Sequence, residues 1–366
     1  MMTKIKKNLS NFYKLIIYRC FKFLYGEIKL KIYPKNGSEF SVEKLKIESN
    51  NYMIFFCQNS SLYTDRIHDT AIIKNNSILV GPSFQYRNNI NEDCSLNSVF
   101  YKGTPRFKKK IKGTVFSLLT GGGGNSNYWH WLFDVLPRLF ILDSSKIKGL
   151  TIDYYLFPGL SKKFQNESLD LLEIPKEKRL SSDNARHFFS DKIILTNHPY
   201  TLLNDPTLDS LNLPNWILDF LKKKFLYKTS KSKNFKNYPK KIYINRKDAT
   251  AIRYIINEED VAFNLKNKGF QSITLSDYNF TEQINLFNNA EYIAGLHGAG
   301  FANMIFCKPN TKILELKPDT AGDVIKNLAI QNNLIYKHIS TKPKTINYND
   351  QSGDIEINID LLNKIL

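Results

Sequence analysis

Two blocks of the sequence carry side chains whose types and spacing fit a catalytic or binding site. The first is Gly295-Leu-His-Gly-Ala-Gly-Phe-Ala-Asn303, which follows a mainly apolar run and precedes a strand-like one. A strand that opens through small residues into a helix leaves unpaired backbone N–H groups, and these groups bind anions. The pattern therefore predicts a phosphate site at Gly298, Ala299 and Gly300.

The second block begins at Asn125 and places a polar stripe on an otherwise aromatic and aliphatic helix. At about 100° per residue, four polar side chains share an arc of about 80°: Asn127, His130, Asp134 and Arg138. A carboxylate beside a histidine can hold the imidazole tautomer and raise its basicity, as general-base catalysis requires. The alternative is a structural His–Asp hydrogen bond on a half-buried helix. Pro137 predicts a kink or an early end of the helix. In the preceding loop, Gly121 to Gly124 allow the backbone to come close to a ligand.

Two arginines and an acid complete a candidate nucleotide site around the first block. Arg246 directly follows a strand pattern, and Arg253 lies in the loop before the next helix pattern. Guanidinium groups stay charged and bind diphosphate oxygens, although a surface ion pair is the alternative for either arginine alone. Glu315 is a lone acid in an apolar strand. His297 adjoins the helix start, where it could donate to a phosphate oxygen or only cap the helix, and Asn303 could simply pack.

These motifs resemble glycosyltransferase family 61, which includes bacterial capsular-polysaccharide enzymes. The resemblance rests on Tyr128-Trp-His-Trp-Leu-Phe-Asp134, on the pair Arg246 and Arg253 separated by six residues, and on the first block. It covers about Thr114 to Pro318. The resemblance implies a GT-B fold, in which two Rossmann-like domains face a cleft, and an inverting transfer from a nucleotide sugar, with a UDP-sugar as the favoured donor.

The resemblance also implies roles for the site residues. His130 and Asp134 are the expected catalytic pair, and which of them is the general base stays open. Asn127 and Arg138 are expected on the acceptor side. In this architecture an acid at Glu315 accepts from ribose hydroxyls, although an ordinary edge-strand glutamate would show the same alternation. The other expected donor-binding residues are Arg246, Arg253, His297, Gly298, Ala299, Gly300 and Asn303. No Asp-x-Asp occurs in the sequence, and since arginines and a helix N-terminus can neutralise a diphosphate, we expect no metal and no cofactor besides the co-substrate.

Alternating strand and helix patterns predict the elements that position these residues. From Lys241 to Ile339 the repeated β–α steps predict a Rossmann-like domain with its ligand crevice at the carboxyl ends of the strands. A similar alternation begins near Thr114, after a β-rich part that contains a hairpin turn at Asn75-Asn76. We predict an α/β chain with a basic amphipathic segment at 1–26, an acceptor-side domain at 27–232 and a nucleotide-sugar domain at 233–366. The lysine-rich stretch from Lys228 to Pro239 is the expected linker.

The charge balance restricts the partners. With 52 Lys and Arg against 34 Asp and Glu, the chain carries a net charge of +18, which favours anionic partners such as nucleotide sugars and acidic glycans. Zinc-finger spacing and RNP-like aromatic motifs are absent from the sequence, so a nucleic-acid partner is not expected. The expected partners are a nucleotide-sugar donor and a glycan or lipid-linked glycan acceptor.

The N-terminal segment and the cysteines bear on location. Lysines recur among Leu, Ile and Phe up to Tyr25, which is typical of a basic amphipathic helix on anionic lipid or of a helix packed on its own domain. The apolar runs are too short for a spanning helix. Four scattered cysteines favour a reducing compartment. We therefore expect a cytoplasmic enzyme, with the inner face of the cytoplasmic membrane as its site of contact if the segment binds lipid.

Two other functions compete with this hypothesis. One is a catalytically silent scaffold that binds nucleotide or glycan in a polysaccharide assembly complex. The other is a sugar-phosphate enzyme on a doubly wound fold, which would not need the His130 helix. A transfer assay separates the first from an enzyme, and substitution of His130 separates the second.

Overall fold

The structure is a computed structural model that describes residues 2–31, 39–65, 69–83, 94–119, 126–145, 147, 149–200, 210–230, 237–248, 253–345 and 353–366. The chain forms two compact units, Met1–Lys162 with Ile174–Asp209, and Lys163–Glu173 with Ser210–Leu366. The α/β architecture is confirmed. The glycine-rich loop at 121–124 and residues 231–236 of the expected linker lie outside the described residues.

The first unit is built on one mixed sheet. Its strands are β1 (Lys29–Lys31), β2 (Phe40–Ile47), β3 (Asn50–Thr64), β4 (Thr70–Lys74), β5 (Ser77–Leu79), β6 (Lys109–Ser117), β7 (Tyr154–Phe157), β8 (Arg179–Ser181) and β9 (His187–Thr196). The order is β1-β5-β4-β3-β9-β6-β7-β8, and β2 also pairs with β3. Strands β9, β6, β7 and β8 run parallel, whereas β3 is antiparallel to β2, β4 and β9.

The β-rich N-terminal part therefore extends the same sheet. The predicted hairpin joins β4 to β5, and both turn residues are left-handed, Asn75 with φ 48° and Asn76 with φ 55°. Asparagine tolerates this conformation better than most residues, which is why the pair is a strong turn signal. Apolar side chains of β3, β6 and β9, among them Phe55, Val115 and Ile193, form the core on one face of the sheet.

The helices of the first unit flank this sheet. They are α1 (Met2–Tyr25), α2 (Val99–Lys102), α3 (Tyr128–His130) and α4 (Pro137–Ser144), with a 3₁₀ turn at Lys176–Lys178. Between α3 and α4 the segment Trp131–Val135 is a π-helical turn, in which the Leu136 N–H donates to the Trp131 carbonyl at 3.1 Å. Pro137 has no N–H to continue the α-helical ladder, so the predicted kink takes the form of this wider turn. Within the described ranges, no helix has the length and apolar character needed to cross a membrane.

The second unit contains a parallel sheet with helices between its strands. The strands are β10 (Lys241–Ile244), β11 (Gln271–Ile273), β12 (Tyr292–Leu296), β13 (Lys312–Pro318) and β14 (Ile335–Thr341). Their order, β11-β10-β12-β13-β14, reverses direction between β10 and β12. In parallel α/β sheets the ligand crevice opens at such a reversal, outside the carboxyl ends of the strands.

The helices of this unit match most of the expected ones. They are α5 (Lys163–Leu171), α6 (Asn215–Leu221), α7 (Tyr227–Ser230), α8 (Glu258–Asn267), α9 (Phe280–Asn289), α10 (Val324–Gln331) and α11 (Ile359–Ile365), with a π turn at Lys222–Leu226 and 3₁₀ segments at Leu275–Asp277 and Ala299–Phe306. Asn279 and Glu282 form a capping box at the start of α9, which fixes where that helix begins.

The division into units differs from the expected boundary at 232. Helix α5 belongs to the second unit, because the Glu167 carboxylate accepts from the Phe280 N–H at 2.8 Å. Residues from Ser210 onward also belong there, since the Gln331 amide donates to Asn215 at 2.8 Å and Lys228 donates to the Leu171 carbonyl at 2.7 Å. These are long-range side-chain contacts, and the strand and helix patterns of the sequence contain no signal for them.

Candidate active site

The start of α3 is fixed by Asn127. Its side-chain oxygen accepts from the backbone N–H groups of Trp129 at 2.9 Å and His130 at 3.5 Å, which makes it the N-cap. The rings of Trp129 and Phe133 pack with centroids 4.6 Å apart. The predicted acceptor-side role of Asn127 stays a prediction, and the geometry gives this side chain a structural role.

His130 and Asp134 form the centre of the site in the first unit. The His130 Nδ1 lies 2.7 Å from one carboxylate oxygen of Asp134. The Tyr200 hydroxyl donates to the other oxygen at 2.7 Å, and the His198 Nε2 lies 3.7 Å from the first. The Asp134 side chain is 1% exposed, whereas that of His130 is 30% exposed. A substrate can therefore reach the imidazole far more easily than the carboxylate.

The charges of this cluster are coupled. Burial alone lowers the pKa of His130, but the charge and hydrogen bond of Asp134 outweigh burial and hold that pKa above its ordinary value. Burial also opposes ionisation of Asp134, yet His130 and then His198 keep the pKa of this carboxyl well below its usual range. Burial lowers the pKa of His198, which favours its neutral form. The lowered pKa favours the ionised form of Asp134, and this charge can stabilise a protonated His130.

Arg138, on α4, anchors the helical segment that carries His130 and Asp134 to the sheet. Its side chain is buried, its Nε donates to the Asp134 carbonyl at 3.0 Å, and its Nη1 donates to the Thr196 carbonyl at 2.9 Å. Thr196 ends β9, and β9 and β6 are the neighbours at which the strand order reverses. The pair His130 and Asp134 thus lies at the carboxyl end of β9. The predicted acceptor contact of Arg138 stays a prediction: Nε and Nη1 donate to backbone carbonyls, and Nη2 is buried without a hydrogen-bond partner among the described residues.

A second cluster lies at the order reversal of the second unit. Arg246 follows β10, and its Nη1 donates to the His297 carbonyl at 2.9 Å. Arg253 donates from its own Nη1 to the same carbonyl at 2.8 Å. Among the residues that the structure describes, no carboxylate pairs with either arginine, and both Nε atoms are buried without a hydrogen-bond partner. Two guanidinium groups thus converge on one neutral oxygen, an arrangement that an anion would stabilise.

Electrostatics agree with an anion site. Burial, and then the charge of Arg246, lower the pKa of Arg253 to about 10, which leaves the group charged near neutrality. Burial also lowers the pKa of Arg246. Two adjacent cations that are partly removed from water repel each other, and a diphosphate would neutralise both.

His297 is oriented by two further groups. Its Nδ1 is hydrogen-bonded to Glu315, and the Tyr336 hydroxyl donates to the other oxygen of the same carboxylate. Glu315 is fully buried. The expected contact between Glu315 and ribose hydroxyls stays a prediction. The observed contacts show a carboxylate that fixes the imidazole, which leaves Nε2 as the ring nitrogen for a ligand.

The predicted phosphate loop follows β12. Gly298, Ala299 and Gly300 are half-buried, and a 3₁₀ helix begins at Ala299. The first N–H groups of such a helix have no partner within it. Asn303 is fully buried, and its amide donates to Gln283 at 3.2 Å and to the Gly300 carbonyl at 3.4 Å. Asn303 therefore holds the loop in place, and the three small residues present their backbone.

Gly298 leaves room for the guanidinium of Arg246. A Cβ added at Gly298 would lie 2.5 Å from the Arg246 Nη1, so Gly298→Ala should push this group off the His297 carbonyl. We expect nucleoside diphosphate affinity, measured by calorimetry, to fall at least about tenfold, the size of one lost charged hydrogen bond. Gly322→Ala is the matched control, because nothing lies within 4 Å of the added Cβ there. Equal affinities in the two variants would contradict the assignment.

Three residues of these clusters were not predicted from the sequence: His198, Tyr200 and Tyr336. His198 and Tyr200 follow β9, which ends at Thr196, and polar residues after a parallel strand were the available signal. Tyr336 lies within β14, where its register neighbour is Ile313, and no motif marks it. Within the described part of the chain, no group of three or more His, Cys, Asp or Glu side chains is arranged to hold a metal ion.

A single family match includes residues of both clusters. The model of the family described as Glycosyltransferase 61 matches residues 128–314, just over half of the chain's 366 residues. The match begins at α3 and ends within β13, so it includes the His130–Asp134 pair, both arginines and the phosphate loop. A comparison with curated proteins finds no match. The chain belongs to glycosyltransferase family 61.

Proposed function

We propose that this chain is an inverting glycosyltransferase that moves a sugar from a nucleotide-sugar donor to a hydroxyl of a glycan acceptor. The observation that carries this proposal is the convergence of Arg246 and Arg253 on the His297 carbonyl, beside the half-buried loop from Gly298. A diphosphate is the leaving group of a nucleotide sugar, and its developing charge requires fixed positive groups.

The general base is His130 in this proposal. The acceptor oxygen bonds to the anomeric carbon as its proton passes to the His130 Nε2, and the bond from that carbon to the diphosphate oxygen breaks. Asp134 is buried and engaged on both oxygens by His130 and Tyr200. It orients the ring and stabilises the imidazolium that forms.

The pH profile tests this assignment. His130 accepts a proton only in its neutral form, so the rate should rise with pH through the raised pKa of His130. Asp134→Asn removes the negative charge that raises this pKa, so the acidic limb of kcat/KM should move to lower pH. The measurement compares residual activity of the variant with wild type across pH. An acidic limb that stays in place would assign it to another group.

We propose that the arginines and the loop N–H groups replace a divalent metal at the diphosphate. Transfer activity should therefore survive EDTA at a concentration that removes Mn²⁺ and Mg²⁺. Activity that is lost on chelation and restored by either ion would contradict metal independence. As a control for indirect effects of EDTA, wild-type protein prepared without Mg²⁺ is assayed for transfer activity before and after EDTA is added.

Several finer features of the reaction belong to the same proposal. Strand-order reversals in both units support a GT-B enzyme, with the acceptor bound by the first unit and the donor by the second. The family resemblance supports a hexosyl or pentosyl transfer in capsule or other surface polysaccharide synthesis on the cytoplasmic side of the membrane. The net charge of +18 favours an anionic donor and an acidic glycan.

A panel of UDP, GDP, CMP and TDP sugars identifies the donor by thermal shift. A ligand that binds only the folded chain raises the melting temperature by mass action. We expect selective stabilisation by one nucleoside diphosphate sugar, with UDP as the favoured nucleotide. The rise in melting temperature should be much smaller in Arg253→Ala. A panel in which no nucleotide stabilises the wild-type chain would contradict a donor site in the second unit.

A further inference from the structure

Helix α1 is fixed to the first unit by one face near its C-terminal end. Tyr18 packs edge-on against Tyr101 with ring centroids 6.4 Å apart. The Tyr25 hydroxyl accepts from the Lys108 N–H at 2.9 Å, and the Lys108 ammonium lies 4.8 Å from the Tyr25 ring centroid. These contacts fix the rotation of the helix about its axis, and so decide which side chains point away from the unit.

The opposite face of α1 is apolar and exposed. At about 100° per residue, six side chains share an arc of about 120° on the side away from Tyr18 and Tyr25. Each is between 44% and 94% exposed. The large apolar side chains of this outer face are Leu9, Phe12, Tyr13, Ile16, Phe23 and Leu24, and exposed Cys20 lies among them. Single exposed apolar side chains are common on protein surfaces, but large ones that together line one face of a helix mark a binding surface.

Positive charge borders the outer face. Lys6 and Arg19, both exposed, lie at its two edges, and α1 contains no acidic residue. The segment that packs beside α1 adds Phe107, which is 78% exposed, followed by exposed Lys109 and Lys110. A second copy of this chain would bring like charges together at such a face. An anionic surface is complementary to it.

We propose that the outer face of α1 binds the surface of a bilayer that contains anionic lipid, with the helix axis parallel to the membrane. The aromatic and aliphatic side chains would enter the boundary between headgroups and acyl chains. Lys6 and Arg19 would extend to the lipid phosphates, as long basic side chains do at interfaces. This proposal does not depend on the transferase activity.

Vesicle co-sedimentation of the full chain tests the proposal. We expect binding to vesicles of phosphatidylcholine with phosphatidylglycerol, weak binding to phosphatidylcholine alone, and loss of binding as salt is raised. Phe12→Ser and Phe23→Ser should each weaken binding about tenfold, because each removes an exposed aromatic ring that would enter the bilayer. Lys6→Ser and Arg19→Ser should each weaken it about fivefold. Phe263→Ser on α8, where the ring is 68% exposed, is the matched control and should bind as wild type.

Three results would overturn the proposal. The first is equal sedimentation with and without phosphatidylglycerol. The second is wild-type binding by the Phe12→Ser and Phe23→Ser double variant. The third is a dimer in light scattering that this double variant dissociates while no vesicle is bound, which would assign the face to a second copy. The substituted positions are exposed, so melting temperatures should match that of wild type and exclude unfolding as the cause.

Discussion

His130→Ala should lower the rate of sugar transfer by about 10² to 10⁴, the loss typical of a missing general base. The imidazole is the part-exposed member of the pair, and its Nδ1 is held by Asp134 at 2.7 Å. Nucleoside diphosphate affinity should be unchanged, because the arginines and the phosphate loop belong to the second unit. Single-turnover rates and calorimetry on the same preparation measure the two quantities.

The control for this prediction is Asp134→Ala, alone and combined with His130→Ala in a double variant. If the two residues act as one unit, as proposed, the double loss should be close to that of His130→Ala alone and far from the product of the single losses. The loss of a general base lowers the rate by at least about 10². If the double variant keeps more than about a tenth of the wild-type rate, the pair is therefore structural. The base would then lie elsewhere.

Arg253→Ala and Arg246→Ala should each lower turnover by about 10² or more. In the proposed mechanism each variant removes a positive group next to the leaving diphosphate, and such groups act most strongly in the transition state. Nucleotide affinity should fall as well, in contrast to His130→Ala. Steady-state kinetics with the donor selected by thermal shift measures the loss.

Arg253→Lys is the matched variant for charge without guanidinium geometry. It keeps a cation but cannot make the paired N–H contacts of arginine, so it should recover only part of the rate. Lys308→Ala, an exposed position of the second unit, should leave turnover unchanged. Near-wild-type rates in both alanine variants, Arg246→Ala and Arg253→Ala, would contradict the donor-site assignment.

Most elements of the second unit were predictable because their signals are local. Strand Tyr292–Leu296 is a short apolar run next to glycines, and helix α9 starts at a capping box. The hairpin turn at Asn75-Asn76 was predictable for the same reason, since two adjacent asparagines favour left-handed turns. In the site, spacing alone placed His130 and Asp134 on one face.

The remaining features depend on tertiary contacts. Tyr200 lies 66 residues from Asp134 in sequence and donates to it at 2.7 Å. Nothing in the spacing of either residue indicates this bond. Asn127 shares a helical arc with His130 in the sequence, but the helix begins after it and Asn127 is the N-cap. Angular spacing along a helix does not distinguish a cap from a residue on a helix face. Pro137 indicated a kink, but the spacing contains no signal that this kink would be a π turn in which Trp131 and Phe133 are fully buried.

A transfer assay with labelled donor tests most directly whether the chain is an enzyme or a binding scaffold. The full chain is incubated with the isotope-labelled nucleotide sugar that stabilises it most, together with glycan fragments as acceptors. Mass spectrometry then counts labelled glycan and free nucleoside diphosphate. We predict one labelled sugar on a glycan for each nucleoside diphosphate released, with both products lost in His130→Ala. Stabilisation by a nucleotide sugar without release of nucleoside diphosphate from any donor would contradict it and indicate a scaffold.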